Sequence, residues 1–145
     1  MKAVVVQEPG KATLADIPEP SNNSGEALLQ IRMIGLCGTD LNTFRGTNPL
    51  VTFPRVLGHE VAATILHAGS GLSNDLREGT AVTLAPYTAC GGCASCLRGR
   101  PNACTSNQTL GVQRDGALTE RITIPAEKLY TAALTLKELC LSSSP

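Results

Sequence analysis

Four cysteines near the middle of the chain are spaced to hold one metal ion. Cys90, Cys93, Cys96 and Cys104 follow the pattern C-x2-C-x2-C-x7-C. Zinc binds four thiolates tetrahedrally at about 2.3 Å, and a site closed by four protein ligands has no position for a substrate. The pattern therefore predicts a structural zinc loop at 85–105. The alternative is two disulfides, which cysteines so close together in tight turns form poorly and which reducing compartments disfavour.

A second group of metal-binding residue types lies earlier in the chain. Cys37 follows a long predicted strand, and His59 and Glu60 follow a turn containing proline and glycine. A thiolate, an imidazole and a carboxylate form the ligand set of a catalytic zinc, because three protein ligands leave one position open. An alcohol oxygen in that position would have a lowered pKa. Taken singly, these residues are more often a buried apolar cysteine and a surface His-Glu pair.

Two residues beside Cys37 are candidates for catalysis. Asp40 could accept a hydrogen bond from the second ring nitrogen of His59, which would fix the imidazole tautomer and make the other nitrogen a better ligand. Thr39 carries a hydroxyl that could accept the proton of an alcohol and pass it on. The alternative for both residues is an ordinary helix cap, since Thr and Asp are common at helix N-termini.

The elements that must position these residues are mostly predicted strands. Alternating or β-branched segments predict strands at 2–7, 12–17, 26–36, 61–68, 80–85 and 117–124. Apolar spacing predicts a short helix at 38–45, capped by Thr39 or Asp40, and another at 134–141. Fourteen glycines, nine prolines and few aromatic residues indicate short strands joined by turns. The predicted fold class is one mostly β domain with short helices.

Composition excludes several classes of partner. The 145 residues include twelve basic and twelve acidic side chains, so no basic field favours nucleic acid or anionic lipid. No segment predicts a membrane span or a signal peptide, and we expect a cytoplasmic protein. The segment 69–71 has two of the three glycines of a dinucleotide-binding fingerprint without a long helix after it, so it is predicted to be a turn.

Five motifs occur in a fixed order: Cys37-Gly38-Thr39-Asp40-Leu41, Gly58-His59-Glu60, Gly69-x-Gly71, Gly79-x-x-Val82 and Cys90-Gly91-Gly92-Cys93-x-x-Cys96-x-x-Gly99-x-x-Asn102-x-Cys104. In this order and with these gaps they resemble the zinc-containing medium-chain alcohol and polyol dehydrogenases, above all the sorbitol, threonine and sugar-acid branch. The resemblance implies a GroES-like β-barrel, a catalytic zinc at Cys37, His59 and Glu60, and a structural zinc at the four later cysteines. It also implies oxidation of a small alcohol, polyol or sugar acid by hydride transfer to NAD or NADP.

The chain departs from the family pattern towards its end. Family members continue through a Rossmann domain that binds the nicotinamide cofactor. A further catalytic-zinc ligand is expected shortly after Cys140, where residues 142–145 read Ser-Ser-Ser-Pro. Neutral serine is a poor zinc ligand, so 142–145 is predicted to be a tail foreign to the family. Asn42 stands where many alcohol dehydrogenases carry a proton-conducting histidine.

Two functions remain open from the sequence. Residues 1–145 are predicted to be the zinc-binding catalytic domain of an NAD(P)-linked dehydrogenase, inactive alone because another domain binds the cofactor. The alternative is a truncated, non-catalytic zinc-binding module. Loops at 50–55 and 110–116 are expected to shape the substrate pocket. Apolar surface left by the missing domain predicts a homo-oligomer.

Overall fold

Strands dominate the part of the chain that the structure describes. This computed structural model describes residues 1–69 and 75–131. The strands are β1 Lys2–Glu8, β2 Lys11–Asp16, β3 Glu26–Gly35, β4 Arg55–Val56, β5 Glu60–Ala68, β6 Ala81–Leu84, β7 Tyr87–Thr88, β8 Gln108–Thr109, β9 Arg121–Pro125 and β10 Leu129–Thr131. The helices are α1 Gly38–Phe44 and α2 Ala94–Leu97, with 3-10 turns at Pro101–Ala103 and Ala126–Lys128. The predicted mostly β class with short helices is confirmed.

Two antiparallel sheets and a small strand pair organise these elements. The sheet orders are β2-β1-β4, β10-β6-β5-β3-β9 and β7-β8. The predicted N-terminal hairpin is present, with Val4 of β1 opposite Leu14 of β2. β3 pairs with β5 on one side and with β9 on the other, so it is the central strand of the larger sheet. Among the described residues, no helix is long and apolar enough to cross a membrane.

The core is formed by the buried faces of the five-stranded sheet. Leu29, Ile65, Val82 and Ile124 are 0–1 % exposed. Leu29 of β3 lies opposite Ile65 of β5. Shortening a buried side chain of this size to alanine typically costs about 2–5 kcal/mol, because lost apolar burial and the remaining cavity add together. The pairing of β3 with β5 is therefore firmly anchored, which matters because one end of this pair carries the candidate site.

The predicted strand at 117–124 is shorter in the structure, since β9 begins only at Arg121. The preceding residues bind a loop instead. Ala117 N–H donates to Gly58 O and Leu118 N–H donates to Leu57 O, both at 2.9 Å. Gly116 lies so close to the Leu57 carbonyl that an added Cβ would overlap it. These contacts fix the backbone immediately before β5.

The cap of α1 differs from the prediction. The N-cap is Cys37, whereas Thr39 or Asp40 had been predicted. Cys37 Sγ accepts a hydrogen bond from Thr39 N at 3.3 Å, and an Asp40 carboxylate oxygen accepts one from Cys37 N at 3.0 Å. This reciprocal arrangement is a capping box, in which the third helical residue reaches back to the cap. The predicted helix at 134–141, and the turn at 69–71 beyond Gly69, lie outside the described residues.

Candidate metal sites

The four cysteines of the predicted zinc loop converge on one point. The Sγ atoms of Cys90, Cys93, Cys96 and Cys104 all lie within 4.8 Å of one another. Cys93 Sγ is 3.5 Å from Cys96 Sγ and 4.0 Å from Cys104 Sγ. Tetrahedral zinc with bonds of about 2.3 Å would hold its sulfurs about 3.8 Å apart. None of the four forms a disulfide. The loop thus has the dimensions of a four-thiolate metal site.

The backbone of this loop also supports the sulfur atoms. Cys104 Sγ accepts hydrogen bonds from the N–H groups of Cys90 and Ser106, both at 3.3 Å. Gly91 and Gly99 have φ values of +74° and +71°, which residues with a Cβ rarely adopt. These glycines allow the chain to turn around the four sulfurs. The short sequence between the cysteines therefore sets the shape of the site.

The thiols of the loop differ strongly in acidity. Backbone N–H groups of Cys96 and Thr105 donate towards the Cys93 sulfur and lower the pKa of Cys93 to about 5. Desolvation, followed by hydrogen bonding with Cys93, raises the pKa of Cys96 to about 12. The Cys90 N–H group lowers the pKa of Cys104. Near pH 7 the metal-free loop therefore holds Cys93 as a thiolate and Cys96 as a thiol.

Zinc uptake by this loop is expected to release at least one proton per ion at pH 7. Zinc binds thiolates, so Cys96 must lose its proton while Cys93 has already lost its own. The affinity for zinc should fall as the pH falls below 7, because protons then compete for more of the ligands. A pH indicator followed during zinc titration of the metal-free chain measures the release, with Cys96→Ser as the comparison. Uptake without proton release would contradict the assigned acidities.

Cys37 and His59 meet where β3 ends and β5 begins. Gly35 pairs with Glu60 across these antiparallel strands, so the residues that follow β3 lie beside those that precede β5. Cys37 Sγ is 3.3 Å from His59 Nε2. Sulfur and nitrogen ligands of one tetrahedral zinc lie about 3.5 Å apart. This pair of predicted ligands is therefore close enough to share an ion.

Asp40 lies beneath the pair and is held by the backbone. Its side chain is 4 % exposed, and its two oxygens accept from Cys37 N at 3.0 Å and from Gly58 N at 3.1 Å. Asp40 Oδ1 is 3.7 Å from His59 Nδ1, which is longer than a hydrogen bond. That ring nitrogen is buried and has no hydrogen-bond partner among residues 1–69 and 75–131. His59 thus directs Nε2 towards the sulfur and Nδ1 towards a carboxylate, the orientation expected of a histidine ligand.

Glu60, the third predicted ligand, does not join Cys37 and His59 in the cluster of possible ligand atoms. Among the described residues, the possible ligand atoms within 4.8 Å of one another at this site belong to Cys37, Asp40 and His59, and Glu60 is outside that group. Glu60 is 8 % exposed, and its carboxylate packs against Gly35 where a Cβ would overlap it. The structure therefore brings two of the three predicted ligands together, with Asp40 beside them and a buried Glu60 next in the chain.

An open cavity of about 400 Å³ is lined by both His59 and Thr39, so the predicted proton acceptor borders the same space as the imidazole. From the loops predicted to shape a pocket, Leu50, Val112 and Gln113 line it. The remaining lining residues are Asn42, Thr47, Asn48, Pro49, Tyr87 and Thr109. The arrangement offers a metal-binding pair at the wall of a cavity large enough for a small molecule.

A second, mostly apolar cavity of about 600 Å³ also reaches Cys37. Asp40 contributes to its lining, and Leu36 and Leu41 beside it are 66 % and 46 % exposed. The other lining residues are Val4, Val6, Ala12, Gly38, Phe44, Leu57 and Leu118. His59 therefore lines the first cavity, and Cys37 lines this second, apolar one.

The class of protein follows from this fold and these two cysteine sites together with the sequence comparisons. The sequence model of the alcohol dehydrogenase GroES-like domain family matches residues 23–133. The chain belongs to this family, as the motifs predicted. A zinc-type alcohol dehydrogenase-like protein of Haemophilus influenzae is 40 % identical over 129 residues, which are 89 % of this chain and 38 % of that protein.

Three further proteins from Escherichia coli are similar. L-galactonate-5-dehydrogenase is 36 % identical over 134 residues, covering 91 % of this chain and 38 % of that protein. The crystal structure of galactitol-1-phosphate dehydrogenase matches 97 % of this chain and 41 % of its own, with a TM-score of 0.85 and 30 % identity. A dehydrogenase structure from strain CFT073, complexed with NADH, matches with a TM-score of 0.82 and 32 % identity. The chain spans about 38 % of the length of these curated relatives.

Proposed function

We propose that residues 1–145 are the zinc-binding and substrate-binding domain of a dehydrogenase that oxidises a hydroxyl group of a small alcohol, polyol or sugar acid, with NAD or NADP as hydride acceptor. The observation that carries this proposal is the 3.3 Å approach of Cys37 Sγ to His59 Nε2 at a cavity that Thr39 also lines. Family membership supports the reaction class. Similar proteins about two and a half times as long, one of them complexed with NADH, support cofactor binding by another part of the protein.

Two zinc ions are assigned to the described residues. Cys90, Cys93, Cys96 and Cys104 would hold the structural ion, since their sulfurs have the required mutual distances. Cys37 and His59 would hold the second, with Glu60 as the further candidate ligand. When bound there, zinc supplies a Lewis acid for the substrate hydroxyl. The unpartnered Nδ1 of His59, facing Asp40, fits a ring whose other nitrogen is committed to a metal.

The chain's own residues then supply orientation and proton transfer. Asp40 accepts hydrogen bonds from the backbone N–H groups of Cys37 and Gly58, and so holds the residues before α1 and before β5 together. It is therefore a positioning residue. Thr39 borders the cavity beside His59 and is the candidate acceptor of the substrate hydroxyl proton. Its backbone N–H donates to Cys37 Sγ, which ties its position to that of the ligand. A cytoplasmic location agrees with thiols that must stay reduced.

Zinc content tests this proposal directly. The chain is expected to hold about two zinc ions, Cys37→Ser about one, and the matched control Cys140→Ser about two, because Cys140 belongs to neither predicted cluster. Elemental analysis after dialysis measures the ratio. A value near one in the unaltered chain would favour the non-catalytic zinc-binding module. A value near zero would overturn both metal assignments.

A further inference from the structure

We propose that the cavity lined by His59 and Thr39 selects an uncharged polyhydroxylated substrate, such as an alditol, over an acid or a phosphate ester, with the Gln113 carboxamide as a donor to a substrate hydroxyl. The inference rests on the proposed function, because it names the substrate class of the same site. The proposed substrate class differs from the compounds in the names of two similar proteins. Those compounds, L-galactonate and galactitol-1-phosphate, are both anions.

The polar side chains that line the cavity are uncharged. Thr39, Asn42, Thr47, Asn48, Tyr87 and Thr109 accompany Gln113, and no Asp, Glu, Lys or Arg of the described chain lines this space. Hydroxyl and carboxamide groups both donate and accept, which matches a ligand that carries several hydroxyls. Apart from the metal proposed at Cys37 and His59, this lining offers no positive charge to replace the hydration that an anion would lose on entering. The lining therefore favours a neutral ligand.

Gln113 is the lining residue best prepared to donate. Its Oε1 accepts from Thr109 N at 2.8 Å, which fixes the orientation of the carboxamide. Within the described part of the chain its Nε2 has no protein acceptor, so both N–H groups remain for a ligand. Asn48 differs, because its Oδ1 accepts from Leu50 N and its Nδ2 donates to Thr43 Oγ1, both at 3.1 Å. The polar side-chain atoms of Asn48 are thus already hydrogen-bonded, whereas the Gln113 N–H groups are available to a ligand.

The charged side chains that follow Gln113 in sequence do not line the cavity. Arg114 follows Gln113 in sequence but does not line the cavity, and burial lowers the pKa of its guanidinium. Asp115 pairs with Arg55 at 3.2 Å, outside the cavity. Among the described residues, no lysine or arginine therefore lines the cavity to compensate an anionic substrate.

Cobalt-loaded chain provides the test, since Co²⁺ bound to a thiolate and an imidazole absorbs visible light and responds to ligands. The bands that are lost in Cys37→Ser report the cavity site, and they are followed during titration with sorbitol, gluconate and sorbitol 6-phosphate. We expect sorbitol to shift these bands and the two anions to bind at least about tenfold more weakly. Equal or tighter binding of either anion, or no response to any of the three ligands, would overturn the inference.

Variants separate this inference from the proposed function. Gln113→Leu is expected to weaken sorbitol binding about tenfold while leaving the ligand-free cobalt spectrum unchanged, and Gln113→Lys to shift the preference towards gluconate. Gln7→Leu is the matched control, because Gln7 lies exposed on β1. Unchanged sorbitol binding by Gln113→Leu sinks the inference and leaves the proposed function intact. If no cobalt bands depend on Cys37, the proposed function fails and the inference fails with it.

Discussion

Replacing Cys104 with serine is expected to abolish zinc binding by the loop at 85–105 and to open that loop to protease. Cys104 is the ligand farthest along the chain from the other three. Its sulfur accepts hydrogen bonds from the backbone N–H groups of Cys90 and Ser106. Loss of a residue that hydrogen-bonds to a metal ligand typically lowers metal affinity by about 10–100-fold. Loss of a ligand itself should lower the affinity further. The loop has little else to hold it, because none of the residues of α2 is buried.

Two measurements check this expectation. Elemental analysis should show about one zinc ion fewer per chain in Cys104→Ser than in the parent. Trypsin should cut after the exposed Arg98 at least about tenfold faster, since local opening governs cleavage. Ser106→Ala is the matched control, because only the backbone N–H of Ser106 contacts the sulfur. Retention of full zinc content by Cys104→Ser would remove the metal assignment of this loop.

The two metal sites were predictable from the sequence to different degrees. The four-cysteine loop is local, so its spacing alone defined which sulfurs meet. The pair of Cys37 and His59 depends on the register of β3 with β5, and the sequence suggested it only through the motifs on either side. Glu60 shows the limit of such reasoning. Strand pairing turns its carboxylate towards Gly35, a contact that no spacing rule contains.

The cavity lining was predicted least well, for a physical reason. Tyr87 and Thr109 pair across β7 and β8, two strands of two residues each. Segments so short have no measurable alternation of polar and apolar side chains, so periodicity cannot reveal them. The longer strand β3 was predictable because burial on one face requires alternation, and β1 because its residues are mostly β-branched. Residues that line the cavity from short strands could be located only by tertiary structure.

The cap of α1 shows how one residue can satisfy two sequence patterns. Asp40 was a candidate cap by residue type, and also a candidate partner for His59. In the structure Asp40 is not the N-cap, and its carboxylate lies 3.7 Å from His59 Nδ1, beyond hydrogen-bond distance. It accepts hydrogen bonds from the backbone N–H groups of Cys37 and Gly58 instead. A carboxylate with two oxygens can accept from both sides of the site. Asp40 therefore joins the loop before β5 to the start of α1.

Asp40→Ala should accordingly destabilise the fold and empty the second metal site together. Two backbone N–H groups would lose their acceptor, that of Gly58 in a buried setting and that of Cys37 in a partly buried one. An unsatisfied buried group costs about 1–3 kcal/mol and a partly buried one less, so the free energy of unfolding should fall by roughly 1–5 kcal/mol. That is a large share of the about 5–15 kcal/mol typical of a domain. Urea unfolding of the zinc-loaded chain measures the loss.

Two further variants separate the structural role of Asp40 from its charge. Asp40→Asn keeps one carbonyl acceptor, so it should unfold at a urea concentration between those of the parent and Asp40→Ala. Cobalt bands that depend on Cys37 should weaken in both variants, because His59 loses the carboxylate that faces Nδ1. Asp16→Ala is the matched control, since Asp16 is exposed and, within the described part of the chain, forms an ion pair only with Lys2. If Asp40→Ala unfolds with the parent and keeps its cobalt bands, Asp40 does not position the site.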